Sequence, residues 1–161
     1  MNMFNSFKQS EMTLLITVLL ITLSFGSVAY AENTTNSSAT TSLIKNADGS
    51  SVQSNSDGSQ LITNSDGSSV LTKTDGTKII KNADGSSVQE NPDGSKLITN
   101  ANGSSVEIKS DGTKIIKNTD GSSMQKNPDG SNLIINTDGS SVQTNADGTK
   151  IIKSSDGTIL K

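Results

Sequence analysis

Twelve aspartates are the residues of this 161-residue chain whose number and spacing invite chemistry. Each stands directly before a glycine, at Asp48, Asp57, Asp66, Asp75, Asp84, Asp93, Asp111, Asp120, Asp129, Asp138, Asp147 and Asp156. Asn102-Gly103 fills the remaining slot of a nine-residue period with no insertion. A carboxylate in every glycine-containing nonapeptide raises calcium first. Exported calcium-binding repeats read Gly-Gly-x-Gly-x-Asp-x-aliphatic-x, whereas each copy here has one glycine and its Asp comes before it. In a sheet whose turns alternate between two edges, successive Asp residues on one edge stand about 9.6 Å apart. Calcium gathers about six to eight oxygens at about 2.3–2.6 Å, so the spacing reads as structural turns. A calcium-loaded parallel β-roll is the alternative that a calcium titration would reveal. Diffuse cation attraction along the acidic edges needs no such site.

Other chemistry has less to work with. The chain has no His and no Cys, which removes the commonest bases, nucleophiles and metal ligands. Its acids are spread evenly, with no convergent set to line a pocket. An enzyme is not expected, and neither is a cofactor. The net charge is −3, too acidic for a nucleic-acid surface. Lys78, Lys114 and Lys150 recur at the same place in their repeats and keep the faces soluble.

What the aspartates do is make turns. The fullest copies are Asn91-Pro92-Asp93-Gly94-Ser95 and Asn127-Pro128-Asp129-Gly130-Ser131. Pro presets φ at the first central position of a type I turn, Asp suits the next, and Gly takes the left-handed conformation after it. This is the three-residue hairpin with a G1 bulge. Each copy should reverse the chain and send a short strand to the next.

The elements that carry these turns begin after a leader. Residues 1–31 read as a signal peptide, expected to be helical. Lys8 lies in its first part, Met12 to Phe25 is its apolar run, and Ala29-Tyr30-Ala31 places small residues where a signal peptidase reads. Cleavage is expected between Ala31 and Glu32. The run is short for a bilayer span, so membrane contact is expected only through an uncleaved leader. Residues 32–40, rich in Asn, Ser and Thr, read as a flexible linker. Residues 41–161 are the nonapeptide-repeat domain, and they contain no aromatic residue. So few large side chains cannot build a globular core, and without Cys the domain is not disulfide-stapled.

With Asp at position 3 of the unit, position 5 is always Ser or Thr and position 7 always aliphatic. Thr41 to Lys45 matches positions 5 to 9 with no turn before it, so fourteen strands are expected over residues 41–161. With three loop residues, position 7 of one strand opposes position 8 of its neighbour, and opposed residues share a face. One face then carries an unbroken aliphatic ladder: Ile44, Val52, Ile62, Val70, Ile80, Val88, Ile98, Val106, Ile116, Met124, Ile134, Val142, Ile152 and Leu160. The other face mixes aliphatic and polar residues, among them Leu43, Gln53, Leu61, Gln89, Leu97 and Glu107. The same register opposes Glu90 to Lys96 as an ion pair. A second period of eighteen residues alternates Ser-Ser-Val-Gln with Thr-Lys-Ile-Ile-Lys, and a third of thirty-six suggests duplication of a four-strand block.

Short Asp-Gly or Asn-Gly repeats of this length, with an aliphatic residue and Lys after the turn, resemble the glycine-box repeats at the C-terminus of the centriolar T-complex-protein family. The resemblance covers about residues 41–161. It implies an elongated single-layer antiparallel sheet with both faces wet, used as a scaffold and peptide-binding surface. This chain differs in its export signal and its aromatic-free repeats, so a centriolar role is not part of the expectation.

The fold expected is all-β: an elongated single-layer antiparallel β-meander of nine-residue strand–turn repeats, after the signal helix. At about 4.8 Å per strand it would extend roughly 60 Å. A single layer should leave the ladder half wet, and the first and last strands should leave open edges. Both features point to protein contact or self-association through the faces or edges. The chain therefore reads as an exported, non-enzymatic structural or adhesive protein, secreted or at the cell surface, and periplasmic in a Gram-negative host. A curli-like amyloid subunit is the second alternative.

Overall fold

The computed structural model describes residues 30–32 and 41–160. The expected signal helix and most of the expected linker lie outside them, as does Lys161.

The turn chemistry builds the sheet one hairpin at a time. At the Asn91 turn, Gly94 N–H donates to the Asn91 carbonyl at 3.0 Å, and Asn91 N–H donates to the Ser95 carbonyl at 3.0 Å. The first bond closes the type I turn and the second closes the bulge. Gly94 sits at φ +82°, a left-handed conformation that L side chains rarely adopt. The same pair of bonds recurs from the Asn46 turn to the Ser154 turn. Asn102 takes the place of Asp without changing the geometry, and Gly103 still stands at φ +87°.

Between the turns the chain is extended for four residues at a time. The strands are β1 (Tyr30–Glu32), β2 (Ser42–Lys45), β3 (Ser51–Ser54), β4 (Gln60–Thr63), β5 (Ser69–Thr72), β6 (Lys78–Lys81) and β7 (Ser87–Glu90). They continue as β8 (Lys96–Thr99), β9 (Ser105–Ile108), β10 (Lys114–Lys117), β11 (Ser123–Lys126), β12 (Asn132–Ile135), β13 (Ser141–Thr144) and β14 (Lys150–Lys153). All lie in one fourteen-stranded sheet in sequence order, each antiparallel to the next. That antiparallel order is the expected meander and excludes a parallel β-roll.

The register is the expected one. Val88 opposes Ile98 and Gln89 opposes Leu97 between β7 and β8. The row runs without a break from the pair Ile44 and Val52 to the pair Val142 and Ile152.

Two features differ from expectation. The fourteenth strand expected at the C-terminal end is a single bridge between Lys153 and Ile159, with Leu160 N–H donating to the Ile152 carbonyl at 2.8 Å. Among the described residues this segment is paired on one side only, and Ile159 is 65% exposed. Backbone pairing without a second neighbour gains little side-chain burial. The other difference is β1, which adds a strand outside β2, with Tyr30 opposite Lys45, Ala31 opposite Ile44 and Glu32 opposite Leu43. It straddles the expected cleavage point and begins the expected linker with a paired residue.

A single layer has a core only along its ladder. Ile80, Val88 and Val106 are 8%, 4% and 1% exposed, with no second layer above them. The expectation of a half-wet ladder therefore fails at these three residues, while Ile98 between them and Ile116 beside them are half-buried as expected. Strand alternation puts Lys78, Glu90 and Lys96 in the row on one side and Asn82 and Ser86 on the other. Long side chains lay their methylene stems along apolar neighbours while keeping the charge in water. The expectation holds at the ladder's start, where Ile44 is 40% exposed.

Candidate protein-binding surface

The polar side chains that sequence reading singled out are spent on the turns. At the Asn91 turn, Asp93 Oδ1 accepts from Ser95 N–H at 2.9 Å and from Ser95 Oγ at 2.6 Å. Ser95 Oγ accepts from Asn91 Nδ2 at 2.8 Å, and Asn91 Oδ1 accepts from Gln89 Nε2 at 2.8 Å. Gln89, Asn91, Ser95 and Asp93 thus form one relay from the sheet face to the turn tip. Gln53, Gln125 and Gln143 begin the same relay in their own repeats. Where the repeat opens with Asn, the position-5 hydroxyl bridges that amide and the side-chain oxygen before the glycine, and at Ser68 and Ser122 it is buried while doing so; where Lys73 and Lys109 open the repeat, the N–H of Thr77 and Thr113 still donates to Asp75 and Asp111. No buried side-chain nitrogen or oxygen among the described residues lacks a partner.

These bonds set the electrostatics. Hydrogen bonds from the Ser95 hydroxyl and then the Ser95 N–H hold the Asp93 carboxyl below the usual aspartate range. Asp75 and Asp111 are lowered first by the backbone N–H of Thr77 and Thr113, with Lys73 and Lys109 adding a smaller attraction. Asp156, held by the Ser154 hydroxyl and the Thr158 N–H, falls to about 2. The carboxylates stay ionised at the turn tips along both long edges. Among the described residues no three His, Cys, Asp or Glu side chains gather where they could hold a metal ion. No described helix is long and apolar enough to cross a membrane.

The register places the expected ladder residues from Ile44 to Ile152 in one row, and Leu160 reaches its end through the bond to Ile152. Beside that row run Lys78, Lys96, Lys114 and Lys126, with Glu90 set between the first two. Lys114 and Lys126 are directly opposed. The ladder is therefore bordered by cations, buried at Ile80, Val88 and Val106, half-buried along most of its length, and exposed at its ends, at Ile44 and Leu160.

The opposite face offers more. Leu97 and Ile135 are large aliphatics left exposed there. A shallow hollow lies beside Ile135, walled by Leu133, Ile135, Ser141, Gln143, Ile151 and Lys153. Ser141 and Gln143 on β13 separate the aliphatics of β12 from those of β14. The expected register puts Leu133 and Ile151 on the mixed face beside Leu97, and Ile135 joins them there although the turn pattern does not single it out. The signal was present: position 9 is polar or charged in every copy except at Ile108 and Ile135. Strand alternation sends Ile135 to the mixed face and Ile108 to the ladder face.

No family model matches this chain, and no curated protein matches it either. Solved structures do. The TCP10 domain of Danio rerio CPAP, solved in complex with a peptide of Danio rerio STIL, is 23% identical with a TM-score of 0.57, over 81% of this chain and 71% of that one. The TCP10c domain of Drosophila melanogaster Sas-4 is 17% identical with a TM-score of 0.64, over 82% of this chain and 96% of that one. At these identities the likeness shows a shared fold: a single-layer antiparallel β-meander of short strands.

Proposed function

We propose that this chain is an exported, non-enzymatic repeat scaffold that binds protein on its sheet, secreted or held at a cell surface, and periplasmic in a Gram-negative host. The observation that carries the binding is the hollow of Leu133, Ile135 and Ile151 on the mixed face, with Ile135 left exposed at its edge. Exposed aliphatics set among hydrogen-bonding side chains are the makings of a small protein contact. The single-layer sheet leaves this face uncovered. A domain of the same fold, that of zebrafish CPAP, was solved with a peptide of another protein bound. The ladder serves first as the spine of the sheet, and its exposed members Ile44 and Leu160 remain available for contact. The leader of residues 1–31 supports export.

Selection of displayed peptides against the chain tests the binding. Peptides recovered on the parent should lose at least about tenfold in affinity on Ile135→Lys, equivalent to about 1.4 kcal/mol. A control change at Ile108, on the opposite face, should leave binding intact. Equal binding to parent and Ile135→Lys would move the contact elsewhere. Mass spectrometry of the N-terminus recovered from a secreting host tests the export separately.

A further inference from the structure

Strand β1 is paired on β2 across the point where the leader is expected to be cut. The register sets Tyr30 against Lys45, Ala31 against Ile44 and Glu32 against Leu43. The Ala31–Glu32 bond therefore lies inside the strand. Hydrolysis of that bond by a signal peptidase, with water supplying the new carboxylate and amine, releases Tyr30 and Ala31 with the leader. Glu32 alone remains of the three pairing residues, too little to hold a strand in place.

We propose that β1 is an edge guard: before processing it fills the outer side of β2, and its removal opens that edge to the Thr158–Leu160 segment of a second copy. The inference rests on the export reading for the cut and on the sheet for what the cut exposes.

The occupant is identified by three observations. First, the outer side of Thr158–Leu160 carries no strand among the described residues, and the segment continues the sheet through Lys153, Ile159 and Leu160. Second, its direction and register fit. Throughout the sheet, position 7 of a strand that runs as β3 does opposes position 8 of the next, as Val52 opposes Ile62. Leu160 holds position 7 of such a strand and Ile44 holds position 8 of β2. The same rule sets Leu160 of one copy against Ile44 of the next and extends the ladder across the junction. Ile159 then faces Lys45, so no like charges meet. Third, both ladder ends are wet. Leu160 is 63% and Ile44 40% exposed, whereas Val106 within the row is 1% exposed. Ile44 is this exposed with only Ala31 of β1 opposite it on the outer side; joining the ends would set Leu160 there instead, as aliphatics oppose each other within the row. A junction of unlike edges does not close on itself, so copies add head to tail.

The test compares the full chain in detergent, the full chain after signal peptidase, and a chain prepared to begin at Glu32. Sedimentation velocity over a range of concentrations is the readout. The uncut chain should show no head-to-tail growth, and both chains beginning at Glu32 should assemble in proportion to concentration. Ile44→Lys alone or Leu160→Glu alone should weaken assembly at least about tenfold. The two together should restore it, because the new charges meet across the junction. Circular dichroism of each variant monomer separates lost contact from lost fold. A chain beginning at Glu32 that stays monomeric at every concentration overturns the inference. So does assembly indifferent to both substitutions, or assembly that is equal with β1 in place. The mass of the peptidase product judges the export reading by itself: a product cut elsewhere removes that reading while the chain beginning at Glu32 still tests the edge.

Discussion

Lys96 Nζ lies 2.6 Å from Glu90 Oε1, and the two residues stand directly opposite each other on β8 and β7. Their hydrogen bond, with a smaller attraction from Lys96 and then Lys78, holds the Glu90 carboxyl below the ordinary glutamate range. A carboxyl lowered on folding stabilises the fold fully above its unfolded value, and that contribution is lost as the pH falls through the folded value. Both side chains are more than a third exposed, so solvent screens the pair. Glu90→Gln should cost less than about 1 kcal/mol in urea denaturation at pH 7. The difference from the parent should shrink in high salt and at low pH. A loss of several kcal/mol would mean that Glu90 does more than pair with Lys96.

The turn glycine should matter through its backbone. A side chain at Gly94 would meet nothing within 4 Å, yet its φ is +82°. Gly94→Val should therefore cost roughly 1–3 kcal/mol from strain alone. Ser95→Val should cost less, about 1 kcal/mol, because the Ser95 N–H bond to Asp93 survives the loss of the hydroxyl. Equal losses on chemical denaturation would count against the turn assignment.

Acid should loosen the turns one carboxylate at a time. The twelve turn aspartates are lowered by bonds made only in the folded turn, Asp156 furthest, to about 2. Their contribution is complete above the ordinary value of 3.8 and fades below it as each carboxyl takes up a proton. Asn102 shows the way to test this, since its Oδ1 accepts from Ser104 N–H at 3.0 Å and from Ser104 Oγ at 2.8 Å without titrating. Asp93→Asn should keep the fold at pH 7, and the acid limb of its stability profile should be shallower than the parent's. An unchanged acid limb would place the pH dependence elsewhere.

The two faces should respond differently to neighbouring substitutions. Val88 is buried in the ladder, so Val88→Lys should destabilise by several kcal/mol. Gln89→Leu gives up one bond to Asn91 on the half-covered mixed face and should cost no more than about 1 kcal/mol. It should also raise binding of an apolar dye. If Val88→Lys folded as well as the parent while Gln89→Leu did not, the faces would be reversed.

Much of this architecture was legible in the residues because its determinants are local. Asp93, Gly94 and Ser95 carry their own turn geometry, and a three-residue turn fixes the register of the strands that it joins. Nearest-neighbour pairing then propagates that register from Ile44 to Ile152 without long-range choices. The Gln89-to-Asp93 relay was not read, although its residues recur, because it depends on side-chain directions at a bulge. Ile135 shows in the residues only as a break in the pattern, one of two aliphatics at a position otherwise polar or charged, and its exposure depends on the neighbouring strands.

Only the assembled sheet decided the rest. How far Val106 is covered depends on rows contributed by β8 and β10 as well as its own strand, and burial is a sum over neighbours that no single repeat contains. The hollow beside Ile135 needs three strands side by side. The ends are settled by what lies across them: β1 covers β2 from outside the repeat, and Leu160 keeps one bond where interior strands keep partners on both sides. The sequence by itself determined the period, the turns, the register and the two faces, because each is set within one or two repeats. The tertiary structure decided which aliphatics are buried and which edges are filled, because those depend on neighbours brought together only when the whole row is built.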